Sequence, residues 1–548
     1  MGLFTYLLRA SRGAFLLAVA MSVVSGASGG AFVALVDTAL RQTGGLRASL
    51  AWVYVAICLT AIAARFVSQV LLYRLSQGVI YRLRRALIDR VLDAPLRVVE
   101  KTGTPRLYSA LADDIALIGS ALPGLPAVCS GAAFVVVAVT YMAIVSPVVA
   151  VATTAAVVAA IASYRLFAVY GLRYLGLARK DQDRLFEHFR AITDGIKELK
   201  LNRRRREAIA GEQLDASAES YRQHSFVGLS VFEGATGSGS AVLYVLIGLL
   251  LFVLPRIFAL PQQALTAGIL VLLFMVASLQ GVLTVIPPLG RASVALRNIE
   301  ERMRSLEPEG PEEPAGDRPA FEDWEAIQFR GVSHVYPGPK GEQFVLGPLD
   351  FEFRRGELLF VVGANGSGKT TLAKVLTSLY PPEAGAIWID GTEVTRENRD
   401  EYRQLFSAVF GDFFLFDGLF GLPVADRAAK AQHYLARLQL DHKVTIADDR
   451  FSTTALSQGQ RKRLALLAAY LEDRSFYVFD EWAADQDPLF KEFFYDELLA
   501  ELKGRNKAVV VISHDDRYFH FADRLVRFED GQIIQQEVPD VQAMAARP

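Results

Sequence analysis

Residues 363–370 read GANGSGKT and directly follow the apolar run LLFVV at 358–362. This is the phosphate-loop pattern, in the strand, Gly-rich loop, helix order that it needs. Gly363, Gly366 and Gly368 let backbone N–H groups curl around phosphates, with Asn365, Ser367 and Thr371 in the same cofactor-binding stretch. Lys369 neutralises β/γ charge, Thr370 offers its hydroxyl to Mg²⁺, and the positive end of the following helix adds to the attraction. A second apolar run, FYVF at 476–479, ends in Asp480 and Glu481. Alone, an acidic pair after an apolar strand reads as structural. Beside a phosphate loop, Asp480 suits Mg²⁺ and Glu481 suits an attacking water, so the chemistry expected is hydrolysis of a nucleotide phosphate. A third stretch, LSQGQ at 456–460, precedes the amphipathic sequence RKRLALLAAYLEDR, a helix whose N-terminus would be free to face an anion.

These residues need a sheet to hold them. From Phe321 onward short β-rich runs, among them LLFVV, FYVF and AVVVIS, alternate with helical stretches, which predicts an α/β domain with a largely parallel sheet over residues 321–548. Upstream, residues 307–320 read EPEGPEEPAGDRPA, an acidic Pro- and Gly-rich composition that predicts a linker over 301–320. What precedes the linker differs in kind. The whole chain has a mean hydropathy of +0.26, and its net charge of -1 hides 29 Lys+Arg against 17 Asp+Glu in residues 1–300.

That first part predicts an all-α transmembrane domain of six spans. Twenty-four uncharged residues separate Arg12 from Asp37, and about 20 cross the hydrocarbon core as a helix. A second span covers about Ala48 to Val70. Residues 115–164 carry no charge, which suits two spans folded back at Ser146 and Pro147. Spans five and six run from about Val227 to Leu254 and from Ala264 to Pro287. Segments 72–114 and 165–226 hold 8 and 13 basic residues, while the opposite connections hold only Arg41, Arg47 and Arg256. Both termini and the nucleotide domain are therefore expected in the cytoplasm, with the basic segments as helical continuations of the spans. The same rule accounts for their charge, so no nucleic-acid partner is expected. Arg65 and Glu233 either snorkel to the boundary or line a cavity, and Gly26, Gly29, Gly30, Gly234, Gly237 and Gly239 mark close helix contacts or flexible points. Cys58 and Cys129 both lie in apolar runs, which excludes a disulfide framework.

The phosphate loop, LSQGQ, VFDE at 478–481 and ISHDD at 512–516 stand in the order seen in ATP-binding cassette (ABC) proteins, and with six spans the chain resembles an ABC exporter half-transporter. The resemblance implies further roles. Tyr336, in GVSHVYPG, matches the aromatic that stacks on adenine. Ser457, Gly459 and Gln460 match the signature that closes over the γ-phosphate of ATP on the partner subunit. His514 matches the switch histidine, catalytic with Glu481, and Asp487 the D-loop aspartate. A homodimer in the bacterial inner membrane, in contact with lipid and using ATP and Mg²⁺, is implied because each ATP needs a loop and a signature from opposite subunits. Two departures stand out. Gly411, in VFGDFFLF, occupies the position of the usual Q-loop glutamine, leaving Asp412 or a backbone carbonyl to substitute. The segment after the acidic pair is DEWAADQDP rather than the common DEATSALD. With LSQGQRKRLALL, this is similar to bacterial cyclic-peptide and siderophore-precursor (pyoverdine-type) exporters, implying a peptide-like substrate. A lipid or multidrug exporter, and a regulator or receptor without transport, are the alternatives.

Overall fold

The computed structural model describes residues 11–41, 48–258, 260–306, 321, 323–337, 343–421 and 427–539. Most of the expected linker lies outside them. The described residues form two compact units, one comprising the chain up to Asp89 with Thr104–Ser305, the other Arg90–Gly103 with the chain from Leu306 on.

The first unit is all helical. Among the described residues, six helical stretches are long and apolar enough to cross a membrane: Arg12–Arg41, Ser49–Asp93, Thr104–Val145, Pro147–Asp194, Arg203–Phe252 and Gln262–Ser305. The uncharged 50-residue run does fold back where its sequence allows. Ser146 is extended (φ -159°, ψ 113°) and Pro147 opens the next helix, a position where its missing N–H and fixed φ do no harm. That helix has 48 residues, about 72 Å at 1.5 Å per residue, more than twice a hydrocarbon core. The basic segment 165–226 thus continues its spans as helix over much of its length. Segment 72–114 does so as far as Asp93 and again from Thr104 into the third span; between them Pro95 precedes a separate short helix, Leu96–Thr102.

Small residues in the first span serve close packing. A Cβ on Gly26 would lie 2.0 Å from the carbonyl oxygen of Ser130, and one on Gly30 2.6 Å from Val137, so helix Arg12–Arg41 meets helix Leu125–Val145 almost backbone to side chain. Gly234 and Gly237 have open space around them, while Gly239 faces Leu283 and Ala160. Arg65 and Glu233 are both exposed on their helices. Asp37 instead is fully buried, ion-paired with Arg41 at 2.5 Å and accepting a hydrogen bond from the Tyr141 hydroxyl.

The second unit is built on a six-stranded sheet in the order Gln532–Glu537, Arg524–Glu529, Leu358–Gly363, Ala508–Ile512, Phe476–Asp480, Phe406–Val409. All neighbours are parallel except the first pair. Its central strands are buried on both faces, with Phe360, Val361, Val478 and Phe479 at 0% exposure, which is why they read as unbroken apolar runs rather than alternations. A four-stranded antiparallel sheet packs beside it, including Ala326–Pro337 and Gln343–Arg354. In the parallel register Ile512 lies opposite both Val361 and Asp480. The phosphate loop, the acidic pair and the segment after Ile512 therefore emerge at one edge, the carboxyl ends of the strands, where open α/β sheets bind ligands.

Candidate active site

Strand Leu358–Gly363 delivers the loop and helix Lys369–Leu376 leaves it. Two glycines are required by geometry. Gly363 has φ +157°, and a Cβ there would sit 2.2 Å from the carbonyl oxygen of Phe528; Gly368 has φ +101°, and its Cβ would strike the Phe344 ring at 2.8 Å. Any L side chain at either would have to displace a neighbour and adopt a backbone it disfavours. A pocket of about 250 Å³ opens over this loop, lined by Tyr336, Phe344, Asn365, Gly366, Gly368, Lys369, Thr370, Thr371 and Glu481. Lys369 donates to the carbonyls of Gly363 and Ala364, both at 2.9 Å. Burial lowers its pKa, opposed by the nearby Glu481 and Asp480 carboxylates.

At the strand ends, the Thr370 hydroxyl donates to Asp480 Oδ2 at 2.8 Å, and Asp480 Oδ1 is buried without a partner. Burial raises the Asp480 pKa, with the Thr370 hydrogen bond opposing the shift. An orphaned carboxylate oxygen next to the phosphate-loop hydroxyl fits what a Mg²⁺ ion would need from the protein. Among the described residues no group of three or more His, Cys, Asp or Glu could hold a metal ion. Glu481 adopts a left-handed backbone, φ 50° and ψ 31°, a strain of about 1–3 kcal/mol for a residue other than glycine. Its Oε1 lies 2.9 Å from His514 Nε2, which joins the two catalytic candidates.

Tyr336 lines the pocket, 43% exposed, with its ring centre 6.4 Å from that of Tyr380. Its free face suits a planar base. Ser367 is buried, close to Gly363. The signature candidates lie elsewhere: Ser457, Gly459 and Gln460 do not line this pocket. Ser457 instead caps helix Gln458–Glu472, its Oγ accepting from the Gln460 amide while the Gln460 side chain accepts from the Ser457 amide. Asp487 caps helix Pro488–Glu492 through the Phe490 amide and accepts from Arg463. The amide bond is the first cause holding its carboxyl below the ordinary value. Phe344 belongs to the pocket without having been legible beforehand, since as a strand aromatic it carries no signal of its place beside Gly368.

A membrane-embedded nucleotide hydrolase is what this fold and pocket define. Residues 13–283 match the ABC transporter transmembrane region and residues 346–484 the ABC transporter nucleotide domain. The ATP-binding protein SyrD of Pseudomonas syringae pv. syringae is 35% identical over 522 residues, covering 93% of this chain and 92% of the relative. The chain belongs to the ABC transporter family: it is an ATP-hydrolysing, multi-pass membrane exporter of the half-transporter layout, six spans and one cassette. The subtilin transport ATP-binding protein SpaT of Bacillus subtilis is 28% identical over 40% of this chain and 37% of its own. A bacterial Atm1-family ABC exporter with ATP bound shares the fold, with a TM-score of 0.77 over 98% of both chains at 16% identity.

Proposed function

We propose that this chain exports a cyclic peptide or a peptide siderophore precursor across the bacterial inner membrane, as a homodimer whose cavity alternates between the cytoplasm and the outside. The observation that carries the dimer is the separation just described. Lys369, Thr370 and Glu481 line one pocket while Ser457, Gly459 and Gln460 do not, so one chain holds half of each catalytic unit and a second copy supplies the other half. The basic segments support cytoplasmic termini and cassettes. The peptide reading is supported by LSQGQRKRLALL and DEWAADQDP, the departures that resemble peptide exporters.

In the reaction, Lys369 and the loop amides hold the phosphates, and Tyr336 stacks on the base. Thr370 and Asp480 would hold Mg²⁺, which would neutralise negative charge developing on the transferred phosphate. Glu481 takes a proton from the attacking water as its oxygen bonds to the γ-phosphorus and the bond to the β-γ bridging oxygen breaks, leaving ADP and phosphate. His514 holds the Glu481 carboxylate in place, and its match to the switch histidine supports a contact with the γ-phosphate. The carboxylate is the base, so the step is slowed by anything that neutralises it. Inside-out vesicles test the substrate class. ATP-dependent uptake of candidate cyclic peptides is expected, and uptake of lipids or unrelated drugs with none of peptides would overturn this reading.

Coupling cannot use a side chain at position 411, since Gly411 has none. Helix Leu96–Thr102, which comes from a cytoplasmic connection between spans, groups with the cassette. Its Glu100 accepts from Lys374 at 3.0 Å and from the Tyr380 hydroxyl, and Tyr380 neighbours Tyr336. A link beside the adenine site is thus available. A Cβ at Gly411 would meet nothing nearer than the Asp480 carbonyl oxygen at 3.9 Å, an ordinary contact. Gly411→Gln should therefore keep its ATPase rate within about threefold of the parent, under 1 kcal/mol of barrier. Asp412 is exposed, and its charge acts on Asp480. Asp412→Ala should lose substrate stimulation instead. ATPase rates with and without substrate decide it: full stimulation in Asp412→Ala with none in Gly411→Gln would reverse the assignment.

A further inference from the structure

Lys462 lies two residues beyond the signature stretch, on helix Gln458–Glu472, and is only 3% exposed. Within RKR it reads as one more solvated base. In the structure its ammonium donates to the carbonyl oxygen of Glu481 at 2.9 Å and pairs with Asp485 at 2.7 Å. The indole N–H of Trp482 returns a bond to the carbonyl of Lys462 at 2.9 Å. Along the same seam Gln486 donates to the Gly459 carbonyl at 3.0 Å, Arg463 donates to Gln486 at 2.9 Å, and a Cβ on Gly459 would lie 2.8 Å from the Asp485 carbonyl oxygen. The unusual segment 481–487 is thereby fastened to the first two turns of the signature helix.

A buried ammonium is retained only where acceptors replace its water. Here one acceptor is the backbone of the residue that must activate water. Glu481 sits at φ 50°, and such a backbone persists only when its surroundings hold it there. Its amide donates to the Ile512 carbonyl at 3.1 Å, and its carbonyl accepts from the Lys462 ammonium at 2.9 Å and from the Ala484 amide at 3.3 Å. Removing the Lys462 donor would leave that carbonyl only the longer bond from the Ala484 amide, loosening the peptide unit that aims the carboxylate at His514 and the pocket.

We propose that Lys462 is a positioning residue for ATP hydrolysis: by holding the Glu481 carbonyl it fixes the hydrolytic carboxylate, and because it rides on the signature helix it passes that helix's movement to the catalytic centre of the same chain. The inference rests on the assignment of Glu481 as the hydrolytic carboxylate. The test is steady-state ATPase kinetics with ATP-analogue binding on the purified full-length transporter. Lys462→Met should lower kcat at least about tenfold while KM and analogue affinity stay within about twofold, the signature of a group that acts only in the transition state. Lys462→Gln, whose amide can still donate to the Glu481 carbonyl, should keep kcat within about threefold of the parent. Equal losses in the two variants, or loss of analogue binding in Lys462→Met, would overturn the proposal, since either marks a general packing role. Glu481→Gln is run beside them. Parent-like hydrolysis in that variant overturns the Glu481 assignment and this proposal with it, whereas an inactive Glu481→Gln beside a parent-like Lys462→Met overturns the positioning role alone.

Discussion

Glu481→Gln is expected to cut ATP turnover by about 10²–10⁴-fold, the usual worth of a positioned general base, while ATP binding is kept and a closed, ATP-bound dimer accumulates. The amide preserves the volume and can keep one hydrogen bond to His514, which now lies 2.9 Å from Oε1, but it cannot accept the water proton. Binding should survive because the phosphate grip belongs to other residues of the pocket, Lys369, Thr370 and the loop amides around Gly366 and Gly368. Filter binding of labelled ATP and a size measurement with and without ATP read both halves of the result. Parent-rate hydrolysis would remove Glu481 from its role.

Ser457→Arg should abolish hydrolysis without emptying its own pocket. Ser457 stands at the N-terminus of helix Gln458–Glu472 and outside the lining of the pocket that holds Lys369. Arginine there loses the cap, worth about 1 kcal/mol, which is small against the stability of a domain this size. In the proposed homodimer its main effect would fall on the nucleotide of the second copy, where a long cation would replace a hydroxyl. ATP-analogue affinity is therefore expected near the parent value while turnover falls to background. Mixing Ser457→Arg chains with Lys369→Ala chains should restore part of the activity, because one composite site of such a pair carries neither lesion. Full activity of Ser457→Arg on its own would refute the composite site.

Features that depend on the local backbone and on burial were open to reading from residues in order. The phosphate loop is one, since glycines at 363, 366 and 368 after an apolar strand have few other uses, and the structure puts Gly363 and Gly368 where a Cβ would collide. The membrane helices are another. A bilayer leaves no other option for uncharged runs of this length, and the fold-back at Ser146 and Pro147 follows from what proline does to a helix. Parallel strands buried on both faces announce themselves as FYVF and AVVVIS for the same reason, and with them came Asp480 and Glu481 at the sheet edge.

Side-chain partners remote in sequence were decided only by the tertiary structure. Lys462 has the composition of a surface base, and nothing in RKR tells that its helix turns it onto the Glu481 carbonyl 19 residues away. Gly459 is a signature residue by pattern, yet its lack of a side chain also admits the Asp485 carbonyl. Helix Leu96–Thr102 belongs by sequence to the membrane half and by contact to the cassette, and Asp37, which bounds the first span as a charge, is buried against Tyr141 and Arg41. A pattern of residue types records which backbone each stretch can adopt and which face it must hide. Which two faces meet is settled by packing and charge pairing summed over the whole chain, and no single stretch of residues carries that sum.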